Sequence, residues 1–173
     1  FPLLSQVMAE LSFINPGNNT KLTRYLDAEK KNYKYEDLKN YLASHKSYFF
    51  LACYRKIDDV YLGNLRIYQY SPAVLSYGLL IGEKYHRLGY GTKFCKLALD
   101  LCFNWLGADL VVASAIKENV APTSYKTKLG FHKIDDSLIV KWGLEKKINL
   151  SSHHAFYMDK KTFYKTLENI YKV

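Results

Sequence analysis

The stretch SYGLLIGEKYHRLGYGTKF, residues 76–94, decides the fold of this chain, because an apolar strand leads through a glycine-bearing turn directly into a helix. Gly89 and Gly91 have no Cβ, so the backbone of the turn can approach a ligand closely and can adopt positive φ. The amide groups of residues 87–92 are then helix N-terminal donors without intrahelical partners, and the helix dipole favours an anion in front of them. We therefore predict that this turn binds phosphate.

A second patch, NVAPTSYKTKLGF at residues 119–131, follows one strand-length after that helix. Together the two patches resemble the GNAT N-acetyltransferase superfamily. The turn resembles its acetyl-CoA pyrophosphate loop, with His86 where the family usually has Arg or Gln and Arg87 beside it as a substitute cation. Asn119 lies twelve residues before Phe131, as in the family's second signature. The branch that the chain most resembles contains ribosomal-protein N-terminal and amino-sugar acetyltransferases.

The resemblance implies an α/β (α+β) fold, the GNAT acyl-CoA N-acyltransferase fold. Its sheet is mixed and mostly antiparallel, it is splayed at the two strands that hold the cofactor, and helices cover both faces. Strand 78–81 is then expected to diverge from strand 110–115 and to leave backbone groups that pair with the pantetheine arm of acetyl-CoA.

Apolar periodicity predicts the other elements. Residues 48–54 and 60–69 indicate a hairpin with a bulge at Gly63-Asn64, and residues 139–142 and 154–158 indicate a last pair of strands. Helices are predicted at residues 3–11, 20–26, 35–43, 122–128 and 160–173. The helix after the turn carries an apolar stripe that we expect to be buried, formed by Phe94, Leu97, Ala98, Leu101, Cys102 and Trp105.

Length and composition favour one domain over residues 1–173, since 49% of the residues are hydrophobic. No apolar run approaches the roughly 20 residues of a membrane helix, and residues 1–11 are too polar and too short for a signal-peptide core. Cys53, Cys95 and Cys102 form no CxxC pair, which favours buried free thiols in a reducing compartment. We therefore expect a cytoplasmic protein without a membrane partner.

The net charge is +9, from 25 Lys and Arg against 16 Asp and Glu, and it attracts anions and repels polycations. It suits CoA, a nucleotide-linked substrate or nucleic acid and counts against polyamine acceptors. The basic residues are scattered without a clustered basic-aromatic motif, so we expect no nucleic-acid partner. The histidines and cysteines lack metal-ligand spacing, so no metal is expected, and an exposed strand end is compatible with a homodimer.

Acetyl transfer needs a cofactor held by its phosphates, a deprotonated amine, a stabilised oxyanion and a proton for the leaving thiolate. The resemblance implies that acetyl-CoA is the acyl donor and that an amide near Leu80 polarises the acetyl carbonyl. The predicted cofactor-binding residues are Leu80, Ile81, His86, Arg87, Leu88, Gly89, Tyr90, Gly91, Thr92, Asn119 and Ser124.

The proton donor and the general base are assigned from single residues rather than from a motif. The family often has a Tyr five residues before the closing Phe, whereas this chain has Lys126 there, preceded by Tyr125. We take Tyr125 as the candidate general acid, and packing between helix and sheet is its alternative role. Glu83 is the candidate base, and the alternatives are Glu118 and the pair His153-His154.

The sequence thus predicts an acetyl-CoA-dependent N-acetyltransferase that acts by direct attack of a primary amine. The acceptor is an amino sugar nucleotide or another small amine. The alternatives are a protein N-terminal acetyltransferase of the ribosomal-protein type and a catalytically weak CoA-binding regulatory module.

Overall fold

The structure is a computed structural model that describes residues 47–170. Its six strands are β1 (Ser47–Arg55), β2 (Val60–Ser71), β3 (Val74–Ile81), β4 (Leu110–Ile116), β5 (His132–Lys133) and β6 (His153–Asp159). Its α-helices are α1 (Tyr90–Asp100), α2 (Val120–Lys128), α3 (Asp136–Lys141) and α4 (Lys160–Ile170). A 3₁₀ helix spans Glu83–Tyr85, and a π-helix at Leu101–Trp105 continues α1. The helices predicted at residues 3–11, 20–26 and 35–43 lie outside the described residues.

The strands form one mixed sheet in the order β1-β2-β3-β4-β6-β5. Every neighbouring pair is antiparallel except β3 and β4, which are parallel. The predicted hairpin of β1 and β2 is confirmed, as is the strand before the turn. None of the described helices is both long and apolar enough to cross a bilayer.

A bulge in β2 lies next to the predicted position. Cys53 faces Gly63 and Tyr54 faces Tyr61, so Leu62 is the additional residue in β2. Gly63 has φ of 154°, and a Cβ there would collide with the carbonyl oxygen of Leu80 and lie 2.9 Å from the Cα of Ile81. Only glycine therefore lets β2 lie so close to the end of β3.

Two hydrophobic cores lie on opposite faces of the sheet, which confirms the prediction of helices on both faces. On one face α1, the π-helix and α4 pack over side chains such as Leu65, Leu75 and Tyr77. On the other face α3 and the segment after it cover Val112 and Ala155. The cores form because alternate residues of each strand point to opposite faces.

The predicted buried stripe of the central helix is partly wrong. Leu97 is 43% exposed and Trp105 is 77% exposed. The residues that face the sheet are Phe94, Cys95, Ala98, Leu99, Cys102 and Phe103. The helix is rotated about its axis relative to the predicted orientation. The π-helical segment is closed by the hydrogen bond from the Leu106 N–H to the Leu101 carbonyl, at 2.9 Å. Because a π-helix has more residues per turn than an α-helix, Trp105 points outward.

The strand predicted at residues 139–142 is also wrong, because most of these residues belong to α3. The Oδ1 of Asp135 accepts a hydrogen bond from the Leu138 N–H at 3.0 Å and so caps this helix. Asp135 was therefore a sequence signal for a helix, but the β-branched residues after it favoured a strand. The neighbour of β6 at the sheet edge is β5, in which His132 faces Tyr157. The predicted tail helix begins at Lys160, directly after β6.

All three cysteines are free and buried, as predicted. Burial raises the pKa of Cys53 and Cys95 to about 11 and that of Cys102 to about 12. These thiols therefore stay protonated at neutral pH and act as small apolar core residues.

Candidate active site

The two parallel strands β3 and β4 separate soon after they meet. They pair only at Val74 with Leu110, Leu75 with Val111 and Ser76 with Val112. Beyond these pairs each strand keeps its outer neighbour, since β3 pairs with β2 as far as residue 81 and β4 pairs with β6 as far as residue 116. We call the opening between residues 77–81 and 113–116 the fork.

The fork presents strand edges that have no strand partner among the described residues. An extended molecule that carries amide groups can pair with such an edge as another strand would. The splay predicted between residues 78–81 and 110–115 is therefore confirmed, and it begins directly after Ser76.

The turn from β3 to α1 is anchored at several points. The Gly82 N–H donates to the Leu62 carbonyl at 2.9 Å, and the Tyr85 N–H donates to the Gly82 carbonyl at 2.9 Å. The buried Tyr85 ring packs edge-on against the ring of Tyr90, with centroids 6.1 Å apart. These contacts hold the turn against β2 and the start of α1 and leave residues 86–89 exposed.

The exposed part of the turn has its amide groups available. Arg87 has φ of 61° and Gly89 has φ of 82°, and Gly89 is the N-cap residue of α1. The first helical bond runs from the Lys93 N–H to the Gly89 carbonyl, at 3.2 Å. Among the described residues no carbonyl accepts the amides of residues 87–92, and no side chain caps the helix. This is the arrangement that binds an anion at a helix N-terminus.

Gly89, rather than Gly91, is the position in the turn where the backbone conformation favours glycine. A Cβ at Gly89 would meet no atom within 4 Å, so the constraint there is the positive φ and not space. A Cβ at Gly91 would make ordinary contacts, 3.8 Å from the Cε1 of Tyr125 and 3.9 Å from the Cδ1 of Ile81. The first contact also shows that Tyr125 lies beside the start of α1.

The predicted cofactor-binding residues of β3 and the turn lie together. Leu80 and Ile81 end β3 at the fork. The Nε2 of His86 donates to the Ile81 carbonyl at 2.9 Å, so its ring closes the turn onto the strand. Arg87 beside it is exposed, and exposed Lys84 lies over the Tyr85 ring at 4.9 Å.

The remaining predicted residues lie on or next to α2. Asn119 is the N-cap residue, and its N–H donates to the carbonyl of Ile116 at the end of β4 at 2.9 Å. Its side chain makes no capping bond to the described part of the helix. Ser124 is exposed on α2, whereas Glu83 is exposed in the 3₁₀ helix of the turn. Burial raises the pKa of Tyr125, so its phenol holds its proton more tightly than usual.

Sequence reasoning gave no role to Lys126, although the structure places it at the fork. Its side chain is only 2% exposed. The Nζ lies 6.0 Å from the centroid of the Tyr77 ring and 5.5 Å from that of the Phe156 ring. Burial lowers the pKa of Lys126 to about 8. The available signal was a lysine three residues before the buried Leu129, on the inward side of α2.

Known proteins resemble this chain in sequence profile and in fold. The profile of the acetyltransferase (GNAT) domain matches residues 9–132. No curated protein matches the sequence.

Solved structures have the same fold at low sequence identity. Spermidine N-acetyltransferase from Vibrio cholerae, in complex with CoA and spermine, has a TM-score of 0.72 at 14% identity, over 90% of this chain and 93% of that one. Apo FdhC, a nucleotide-linked sugar GNAT, has a TM-score of 0.65 at 19% identity, over 94% and 88%. Campylobacter jejuni PseH with acetyl coenzyme A has a TM-score of 0.55 at 13% identity, over 72% and 76%.

Proposed function

This chain belongs to the GNAT acetyltransferase family, and from that premise we propose that it transfers the acetyl group of acetyl-CoA to the amine of a nucleotide-linked amino sugar. The observation that carries the proposal is the position of the fork directly beside the anion-binding turn. One site of the chain can thus hold a diphosphate and an extended amide-bearing arm together.

The residues present fit acetyl-CoA. The amides of residues 87–92 would hold its diphosphate, with Arg87 and Lys84 as nearby cations. The inner edge of β3 would orient the pantetheine arm, and a backbone N–H near Leu80 would stabilise the oxyanion. Bound there, acetyl-CoA supplies the acetyl group as a thioester. No acyl-enzyme is required, because direct attack by the acceptor amine completes the transfer.

Charge favours an anionic acceptor. The chain carries a net charge of +9, and Lys84, Arg87 and Lys93 are all exposed around the turn. This field raises the local concentration of anions and opposes the approach of a polycation. The likeness to spermidine N-acetyltransferase, at 14% identity, is one of fold and does not determine the acceptor. The diphosphate of a nucleotide sugar is the chemistry that the charge suits.

The test has a binding arm and a transfer arm. Calorimetry should detect acetyl-CoA binding to the intact chain. Thioester consumption is then measured with four acceptors at matched concentration: a nucleotide-linked amino sugar, the same amino sugar without its nucleotide, spermidine and a peptide with a free N-terminus. We expect the nucleotide-linked sugar to react best and its KM to rise with salt.

Each of the alternative results would lead to a different conclusion about the function. Faster reaction with the peptide would identify a protein N-terminal acetyltransferase, and faster reaction with spermidine would refute the charge argument. Acetyl-CoA binding without transfer to any amine would identify a CoA-binding regulatory module. Absence of acetyl-CoA binding would remove the basis of the proposal.

A further inference from the structure

Lys126 is a buried cation that has no carboxylate partner in the part of the chain that the structure describes. Among the described residues it is the only charged side chain in the buried class, and it forms no ion pair with them. Burying an unpaired ammonium is costly, so proteins rarely keep one without a functional reason. The faces of two aromatic rings, from Tyr77 and Phe156, are its main electrostatic support.

The strand register locates the ammonium over the apex of the fork. Tyr77 is the first residue of β3 after the last pair with β4. Phe156 of β6 pairs with Ala113, which is the first residue of β4 beyond the same point. Because β4 lies between β3 and β6, a group near both rings lies above Ala113. The small side chain of Ala113 leaves room for it there.

Three described titratable groups lie next to Lys126, namely Tyr77, Cys95 and Tyr125, and all three are neutral at physiological pH. Tyr77 on β3 and Cys95 on α1 contact each other, with the hydroxyl 2.9 Å from the sulfur, and burial raises the pKa of both. Tyr125 on α2 itself has a pKa raised by burial. From β6 the Phe156 ring faces the ammonium. Lys126 is therefore the group of this cluster that can exchange a proton near neutral pH, since its pKa is about 8.

We propose that Lys126, rather than Tyr125, gives the proton that the departing sulfur of CoA requires. The proposal rests on the proposed function. As the acceptor nitrogen bonds to the acetyl carbon, the C–S bond breaks and its electron pair goes to sulfur. The Lys126 Nζ then donates one proton to that sulfur and becomes a neutral amine. The acceptor nitrogen releases one proton to solvent, and Lys126 takes one proton from solvent, so atoms and charges balance.

The protonation states favour Lys126 over Tyr125 for this role. A general acid is most effective when its pKa lies near the working pH. Lys126 meets that condition, whereas burial makes the Tyr125 phenol a weaker acid than usual. The Tyr125 ring also lies beside Gly91 and Ile81, at the start of α1. Its contacts there account for it as a packing residue.

The first test is binding, without turnover. The chain is labelled with ¹³C-lysine, and the Lys126 signal is assigned by its loss in Lys126→Arg. CoA carries a thiol that, if Lys126 is its proton donor, titrates with the ammonium as a coupled pair, whereas acetyl-CoA carries no thiol. We expect CoA to raise the pKa of Lys126 by about 1 and acetyl-CoA to raise it much less. Equal effects of both molecules, or no effect of either, would overturn the proposal.

The second test is a set of variants, each checked for folding by circular dichroism and for acetyl-CoA binding by calorimetry. Lys126→Met should lower kcat about 100-fold and remove the decline of kcat above pH 8. Lys126→Arg keeps a charge that does not dissociate, so it should be as slow as Lys126→Met. Lys128→Met is the matched control, since Lys128 is exposed on the same helix.

The outcomes separate this inference from the proposed function. Full activity in Lys126→Arg, or a 100-fold loss in Tyr125→Phe with little loss in Lys126→Met, would refute Lys126 as the proton donor. In either case acetyl transfer itself would stand. Failure of the unmodified chain to bind acetyl-CoA would instead refute the proposed function, and with it this inference.

Discussion

Replacing Lys126 with Met should make the protein more stable, although the same change should slow catalysis. Lys126 is 2% exposed, and burial shifts its pKa from 10.5 to about 8. A shift of this size corresponds to about 3 kcal/mol of unfavourable free energy when the ammonium is charged. The rings of Tyr77 and Phe156 offset roughly 1 kcal/mol of it. Met fills a similar unbranched volume, so we expect a net gain of about 2 kcal/mol at pH 7.

The gain should depend on pH in a defined direction. Because the folded state holds the Lys126 proton less tightly than the unfolded state, the penalty is complete below pH 8 and disappears as pH rises to 10.5. Urea unfolding of both proteins at a series of pH values measures this difference directly. The buried thiols contribute a pH dependence of the opposite sign, but they are common to both proteins and largely cancel in the difference.

Two results would refute this reasoning about Lys126. One is a free energy of unfolding for Lys126→Met that equals or falls below that of the unmodified protein at pH 7. The other is a gain that stays constant up to pH 10.5. Lys128→Met is the control, and as a change on an exposed helix face it should alter stability by less than about 0.5 kcal/mol at any pH. Equal gains in both variants would indicate general charge repulsion rather than burial.

Three further predictions concern the glycines and the thiols. Gly89→Ala should cost about 1 kcal/mol of stability and weaken acetyl-CoA binding about tenfold, as measured by calorimetry. Gly107→Ala is the control, since Gly107 has φ of 69° and equally open space, and it should lose stability without losing affinity. Equal losses of affinity in both variants would contradict a role for the turn. Gly63→Ala should cost about 3 kcal/mol in urea unfolding, because its Cβ would meet the backbone of Leu80 and Ile81, and Gly78→Ala, whose Cβ lies 3.4 Å from the Tyr68 ring, should cost much less. The contribution of Cys102 to stability should fall as pH rises above 9.0, because folding raises the pKa of Cys102 to about 12 and the unfolded state therefore loses that proton first. In urea unfolding, Cys102→Ala should therefore keep more of its pH 7 stability above pH 9.0 than the unmodified protein, and an identical pH dependence in both would contradict this assignment.

Features that depend on neighbouring residues could be predicted from the sequence. The turn follows from a strand, two glycines and a helix in direct succession, and the fork follows from a resemblance located in the same residues. The rotation of α1 could not be predicted in this way, because Leu97 and Trp105 are as apolar as the residues that became buried. The segment at α3 was misread because a short apolar run fits a strand as well as a helix, and the capping Asp135 was the deciding residue.

The role of Lys126 could not be predicted from the sequence, for a different reason. Its environment is made by Tyr77 and Phe156, which are far apart in the chain and meet only through the order of the strands. A lysine at an inward helical position indicates burial, but the sequence does not say which groups surround it. Periodicity therefore locates such a residue, whereas its chemistry depends on the assembled sheet.

The end of β3 is held in place by contacts other than a strand on its inner side, where no described strand pairs with it. Gly63, next to the bulge at Leu62, lets β2 lie against Leu80, and the Gly82 N–H donates to the carbonyl of Leu62. The His86 ring donates to the Ile81 carbonyl, the last acceptor of the strand. These contacts hold the inner edge in place before any ligand arrives, so little ordering entropy is lost on binding. His86, which stands where the resemblance leads one to expect Arg or Gln, thus contacts the strand, and Arg87 beside it is one of the exposed cations of the turn.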